Sequence, residues 1–127
     1  MRHRGEKHVW ALGVSGVLLL AVFFGLMPAA PKAVAGVSNA ELFAKAQRVI
    51  DARCVQCHAA KPSPQFGFPS PPKGVAFDTP EQIVANAQGI QQQVVVAKSM
   101  PLGNLTQMTD DERQTIATWI SAGAKAK

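Results

Sequence analysis

The sequence predicts an all-α fold with three main helices and long loops. Three segments open on a capping residue, each then repeats apolar residues at three- and four-residue steps, and no run alternates apolar and polar residues as a strand would. At 127 residues, 47% hydrophobic and 17% charged, the chain has room for one small domain and is too apolar to be disordered.

The first helix begins at Ser38-Asn39-Ala40-Glu41, which has the form of a capping box. Phe43, Ala46, Ile50 and Cys54 then share one face, while Glu41 and Lys45, four apart, fit a solvated one. The second begins at Thr79-Pro80-Glu81-Gln82, with proline in the first helical position. Its apolar stripe is Ile83, Ala87, Ile90, Val94 and Ala97, and it should end near Ser99, before Pro101. Thr109-Asp110-Asp111-Glu112 opens the third, its acids favouring the positive end of the helix dipole. Ile116, Trp119 and Ile120 face inward there, and Gly123 is the expected stop.

Between the first two helices, residues 59 to 78 hold Pro62, Pro64, Pro69, Pro71 and Pro72 with Gly67 and Gly74, which disfavours regular structure. So long a loop in a small domain points to function, a bound group giving it something to wrap. Phe66, Phe68 and Phe77 fit either a cofactor face or ordinary core.

Residues 1–35 read as an address or an anchor. Arg2, Arg4 and Lys7 precede an uncharged, mostly apolar run from Ala11 to Met27, closed by Pro28. That run of 17 lies between the core of a secretory signal and a full membrane span, so length leaves both readings open. Ala33-Val34-Ala35 offers a small-x-small cleavage pattern, whereas the positive charges ahead of an uncleaved helix would keep the N-terminus in the cytoplasm. Either outcome puts residues 36–127 outside the cytoplasm. Much of the +5 net charge belongs to this leader; residues 36–127 carry only +2, which speaks against a nucleic-acid-binding stripe.

The two cysteines stand in Cys54-Val55-Gln56-Cys57-His58, the pattern of covalent c-type haem attachment. Two thiols on one short turn can add to the two vinyl groups of a haem, and the adjacent imidazole is then held beneath the iron. Zinc is the weaker reading because a structural site wants four ligands and only Cys54, Cys57 and His58 follow residue 35. A thioredoxin-like dithiol needs a preceding strand, and the segment before Cys54 reads as a helix. A local disulfide is the remaining bland alternative.

With His58 as proximal ligand, Met100 and Met108 are the thioethers able to fill the distal position. Met100 is the expected ligand, since Pro101-Leu102-Gly103 forms a turn that can hold it. Met108 immediately precedes the Thr109 cap, where an apolar residue usually packs on the helix it introduces. Pro71 or Pro72 is the expected carbonyl partner of the His58 Nδ1 proton. Lys61, Lys73 and Lys98 form local basic patches, read first as solvated lysines. A haem-free chain of this size should fold poorly.

Over residues 38–123 the chain resembles a class I cytochrome c, with a helix leading into CVQCH, a Met-Pro ligand turn, and a C-terminal helix whose Trp119 in that family packs across the first helix. It departs in having Ala46 and Ile50 where the family often has glycine and an aromatic, so the crossing is expected to use Phe43 or to be looser. Through PPKGVAFDTPEQI, VVVAKSMPLGNLT, and MTDDER with WI, it is similar to the cytochrome c domain at the C-terminus of bacterial membrane-bound urate hydroxylases. The multi-span part that carries the urate chemistry there has no counterpart in this sequence.

The resemblance implies one covalent haem c on Cys54 and Cys57, with His58 and Met100 as axial iron ligands and no catalytic residue. The expected function is electron transfer on the periplasmic side of the bacterial cytoplasmic membrane, by a carrier rather than an enzyme, either on its own or as a subunit or detached domain of an oxidoreductase. Its implied partners are a membrane dehydrogenase or urate hydroxylase as donor, a terminal oxidase as acceptor, the membrane if the leader is retained, and no nucleic acid. A haem enzyme or gas-binding cytochrome with an open iron site is the alternative.

Overall fold

The computed structural model describes residues 36–127 together with Val14, Gly16, Val17 and Val22. The chain divides into two compact units, Met1–Ala30 and Pro31–Lys127. The expected signal or anchor over residues 1–35 lies outside the described residues except for those four positions, which are helical. Among the described residues no helix is long and apolar enough to cross a membrane.

The second unit is all-α, with no strand among the described residues. Helix α1 spans Asn39–Arg53, α2 Pro80–Ala85, α3 Ala87–Ile90 and α4 Asp110–Ser121; a π turn, Gln91–Val96, continues α3. Short 3₁₀ turns at Pro64–Phe66, Pro72–Gly74 and Leu102–Asn104 punctuate the loops.

Helices α1, α2 and α4 start where their caps place them. The Thr79 and Thr109 hydroxyls accept from the backbone N–H of Gln82 and Glu112, whose side chains accept in turn from the cap N–H groups, so both are full capping boxes. At Ser38 only half the expected box forms. The Ser38 hydroxyl accepts from Glu41 N–H at 3.2 Å, but the Glu41 carboxylate turns outward to Lys45 Nζ at 3.1 Å, where a flexible pair in water competes with the cap.

The predicted second helix is broken rather than continuous. Asn86 departs from helical geometry (φ −99°, ψ 8°) while its Nδ2 donates to Gln82 O at 2.8 Å, a side-chain bond that shares this acceptor with its own backbone N–H at 3.1 Å. Beyond Ile90 the chain widens into the π turn, which adds a residue per turn and rotates the faces. Ile83, Ala87, Ile90 and Val94 therefore reach the core as expected, but Ala97 is exposed.

Helix α1 packs on α4, and α4 on the π turn. Ala46, Ile50, Ile83 and Ile116 are fully buried, Trp119 almost so, and Leu42, Phe43, Phe77 and Met108 complete the layer. Phe43, rather than an aromatic at position 50, meets Trp119, with ring centroids 5.6 Å apart and planes at 58°. Past α4, Gly123 adopts the left-handed conformation (φ +108°) that ends the helix, and the returning chain lets Trp119 Nε1 donate to Lys125 O at 3.0 Å.

At the far end of α1, Arg53 ties the two long helices together. Its guanidinium meets both Glu112 oxygens, at 3.0 and 3.2 Å from Nε, and donates from Nη1 to Thr106 O at 2.6 Å. Thr106 Oγ1 donates back to Arg53 O at 2.9 Å.

Candidate functional site

The motif is a continuation of α1. Cys54 N–H still donates to Ile50 O at 2.8 Å, and Cys54 O then accepts from both Cys57 N–H (3.1 Å) and His58 N–H (2.9 Å), winding the five residues into one tight turn. Gln56 steadies it, donating from Nε2 to Ala52 O at 2.9 Å and accepting at its own main-chain carbonyl from Ser63 N–H at 2.8 Å. Cys54 and Val55 pack against the core from its edge, so the apolar stripe of α1 does run into the motif.

A second strap, residues 75 to 78, holds His58. Val75 O lies 2.8 Å from His58 Nδ1, Phe77 N–H donates to His58 O at 2.7 Å, and Asp78 Oδ2 accepts from Ala60 N–H at 2.9 Å. The buried Phe77 ring also lies against the imidazole, centroids 5.2 Å apart at 42°. The expected partner of Nδ1 was the carbonyl of Pro71 or Pro72; both are instead spent within the local turn, on Gly74 N–H (2.9 Å) and Val75 N–H (3.1 Å). A carbonyl at Nδ1 requires the proton there, and in the neutral imidazole this puts the lone pair on Nε2, the nitrogen that can bind a metal. Of the three loop aromatics, Phe77 is core, while Phe66 and Phe68 are half-buried.

Both cysteines are free thiols. Burial pushes Cys54 up to about 12, Cys57 adds to the rise, and the positive charge of Arg113 opposes it. Burial also raises Cys57 above its ordinary value. Thiols held protonated at neutral pH are poorly suited to thiolate chemistry, and the motif follows a helix, so a thioredoxin-like dithiol does not fit. Nor do Cys54, Cys57 and His58 converge as a zinc site would: among the described residues no group of three His, Cys, Asp or Glu side chains could hold a metal ion.

Met100 is half-buried against the core and Met108 fully within it. Met100 N–H donates to Gln93 O at 3.1 Å, and Met100 O accepts from Arg113 Nη1 at 2.7 Å. Met108 is clamped by Asn104, whose Oδ1 accepts from Met108 N–H (3.0 Å) and whose Nδ2 donates to Met108 O (3.2 Å). Position and burial agree with its reading as the packing residue before the Thr109 cap.

Sequence reasoning overlooked Arg113, Glu112, Arg53 and Thr106 as organisers of this region. For Arg113 the signal was present, since it lies three and seven residues before Ile116 and Ile120 on the inward stripe. For Val75 there was none, because a backbone acceptor leaves no trace in residue type. No protein-family model, curated protein or solved structure matches the chain.

One turn thus carries Cys54, Cys57 and His58, with His58 Nδ1 fixed on Val75 O, and Met100 lies on a separately braced loop at the edge of the same core.

Proposed function

We propose that residues 36–127 form a monohaem c-type cytochrome that carries electrons on the periplasmic side of the bacterial cytoplasmic membrane. The observation that carries this reading is the Cys54-Val55-Gln56-Cys57-His58 turn with His58 Nδ1 bound to Val75 O. Cys54 and Cys57 would hold the haem covalently, and His58 and Met100 would ligate its iron. The group supplies, when bound, a one-electron iron couple whose potential a thioether ligand raises.

The remaining work falls to the chain's own residues. Val75 orients the imidazole and strengthens it as a donor, as hydrogen-bonded outer partners do for ligating histidines. Phe77, against the imidazole, and the half-buried Val75 keep water from the His58 side. Two protein ligands, His58 and Met100, would leave substrate no place at the iron, which favours a carrier over an enzyme. The donor proposed is a membrane dehydrogenase, with a urate-oxidising membrane protein as the specific candidate, and the acceptor a terminal oxidase.

The test is the optical spectrum of the exported protein mixed with source membranes, before and after urate, with dithionite as the full-reduction control. Sharp reduced bands of a c-type haem are expected, and their absence overturns the reading. Reduction by urate assigns the chain to purine oxidation, whereas reduction only by other respiratory substrates removes the urate-oxidising donor. Carbon monoxide binding to the reduced protein at neutral pH would replace the carrier with an open-site haem protein.

A further inference from the structure

Arg113 is placed where stability alone would not put it. It is only 7% exposed, and among the described residues no carboxylate forms an ion pair with it. Removing an unpaired guanidinium from water is costly. Its position, fourth in α4, is also near the positive end of that helix, an unfavourable place for a cation. A leucine or methionine there would extend the inward stripe at none of these costs.

What the arginine does instead is specific. One nitrogen, Nη1, donates to two main-chain carbonyls, Val94 O at 2.6 Å and Met100 O at 2.7 Å. The first belongs to the π turn, the second to the residue carrying the thioether, so a single donor pins both ends of the segment that presents Met100. Met100 N–H is tied back to Gln93 O, which leaves that backbone held on both sides. The same guanidinium is near enough to the motif for its charge to act on Cys54. Bonds from a charged donor are stronger than those between neutral groups, and in a partly dry setting they resist exchange with water.

We propose that Arg113 is the positioning residue for Met100, fixing the loop so that the thioether stays at the iron against competing ligands, an assignment that rests on the cytochrome reading above. The main chain of Met100 cannot swing away without giving up a charge-assisted bond and leaving a buried guanidinium half satisfied. Arg113 touches neither haem nor ligand sulfur in this role; it acts through the backbone of residue 100.

The experiment compares holoprotein carrying Arg113→Gln and Arg113→Lys with wild type. It reads imidazole binding to the ferric protein, the far-red absorption that marks thioether-to-iron ligation, and thermal unfolding. Arg113→Gln is expected to bind imidazole about tenfold or more tightly and to lose part of the far-red band, the scale on which outer-shell partners alter metal-site affinities. Arg113→Lys, which keeps the charge and one donor, is expected to fall between. Variants that unfold at lower temperature but bind imidazole as wild type does would overturn the assignment alone, because Arg113 would then be merely structural. Wild-type protein lacking the thioether band overturns the cytochrome reading and this assignment with it. Should Arg113→Gln fail to accumulate, unchanged imidazole affinity in Arg113→Lys overturns the assignment in the same way.

Discussion

The Phe43 and Trp119 rings meet at 5.6 Å and 58°, a tilted aromatic contact between the start of α1 and the end of α4. Each ring fills a space that no smaller side chain would close. Truncating either to alanine should cost about 3–5 kcal/mol. A double-mutant cycle by denaturant unfolding of the holoprotein should return a coupling of about 0.5–1.5 kcal/mol. Strict additivity would mean that the rings only fill volume.

Met100 and Met108 should separate cleanly. Met100→Ala is expected to lower the reduction potential and abolish the thioether band, with a modest stability loss because the side chain is only half-buried. Met108→Ala, in a residue 4% exposed, should cost about 2–5 kcal/mol and leave spectrum and potential unchanged. Potentiometry and thermal unfolding of the two variants check both halves, and a swapped pattern would move the ligand assignment to Met108.

Much of this architecture is legible in local sequence signals. Thr79 and Thr109 mark their helix starts because a hydroxyl followed three residues later by Gln or Glu encodes a bond to the local backbone. The motif, the Trp119 stripe and the Gly123 stop are local signals of the same kind. What escaped depends on choices among near-equal local options. Glu41 leaves its cap for Lys45, Asn86 bonds Gln82 O and breaks a helix whose apolar stripe looks continuous, and the π turn rotates Ala97 out to solvent. The histidine partner was sought at a proline, whereas any residue's carbonyl can serve and the 3₁₀ turn decides which one points the right way.

Glu112 gives a pH dependence with a definite sign. Burial pushes its carboxyl up, but the Thr109 N–H and the Arg53 guanidinium pull harder, and the net value lies below the ordinary one. A carboxylate whose folded value is depressed adds stability that is complete above its unfolded value, about 4.5, and disappears as pH falls through the folded one. Glu112→Gln should therefore cost about 1–2 kcal/mol at neutral pH, with the gap from wild type narrowing below about pH 4. Urea unfolding of both proteins from about pH 7 to about pH 3 measures it. A gap that stays constant with pH would assign the loss to packing.

Gln91 Oε1 is buried and accepts no hydrogen bond among the described residues. Leaving an acceptor in that condition costs about 1–3 kcal/mol. Gln91→Met, similar in length and without that oxygen, should raise the midpoint of thermal unfolding by about 4–8 °C if roughly 1 kcal/mol is recovered. A lower midpoint would show that the amide is satisfied in solution.

The reciprocal bonds between Arg53 and Thr106 join residues 53 positions apart, and everything proposed to touch the haem lies in the segment they enclose. The two long helices thus close a ring at its base, and the chemistry hangs from the ring as a cassette. Closure entropy grows only logarithmically with loop length, about 0.6 kcal/mol per doubling. Insertions or deletions in the exposed loops of the cassette therefore leave the clasp almost undisturbed. Such an architecture can retune a ligand loop or a contact surface by changing segment length while the scaffold beneath keeps its register.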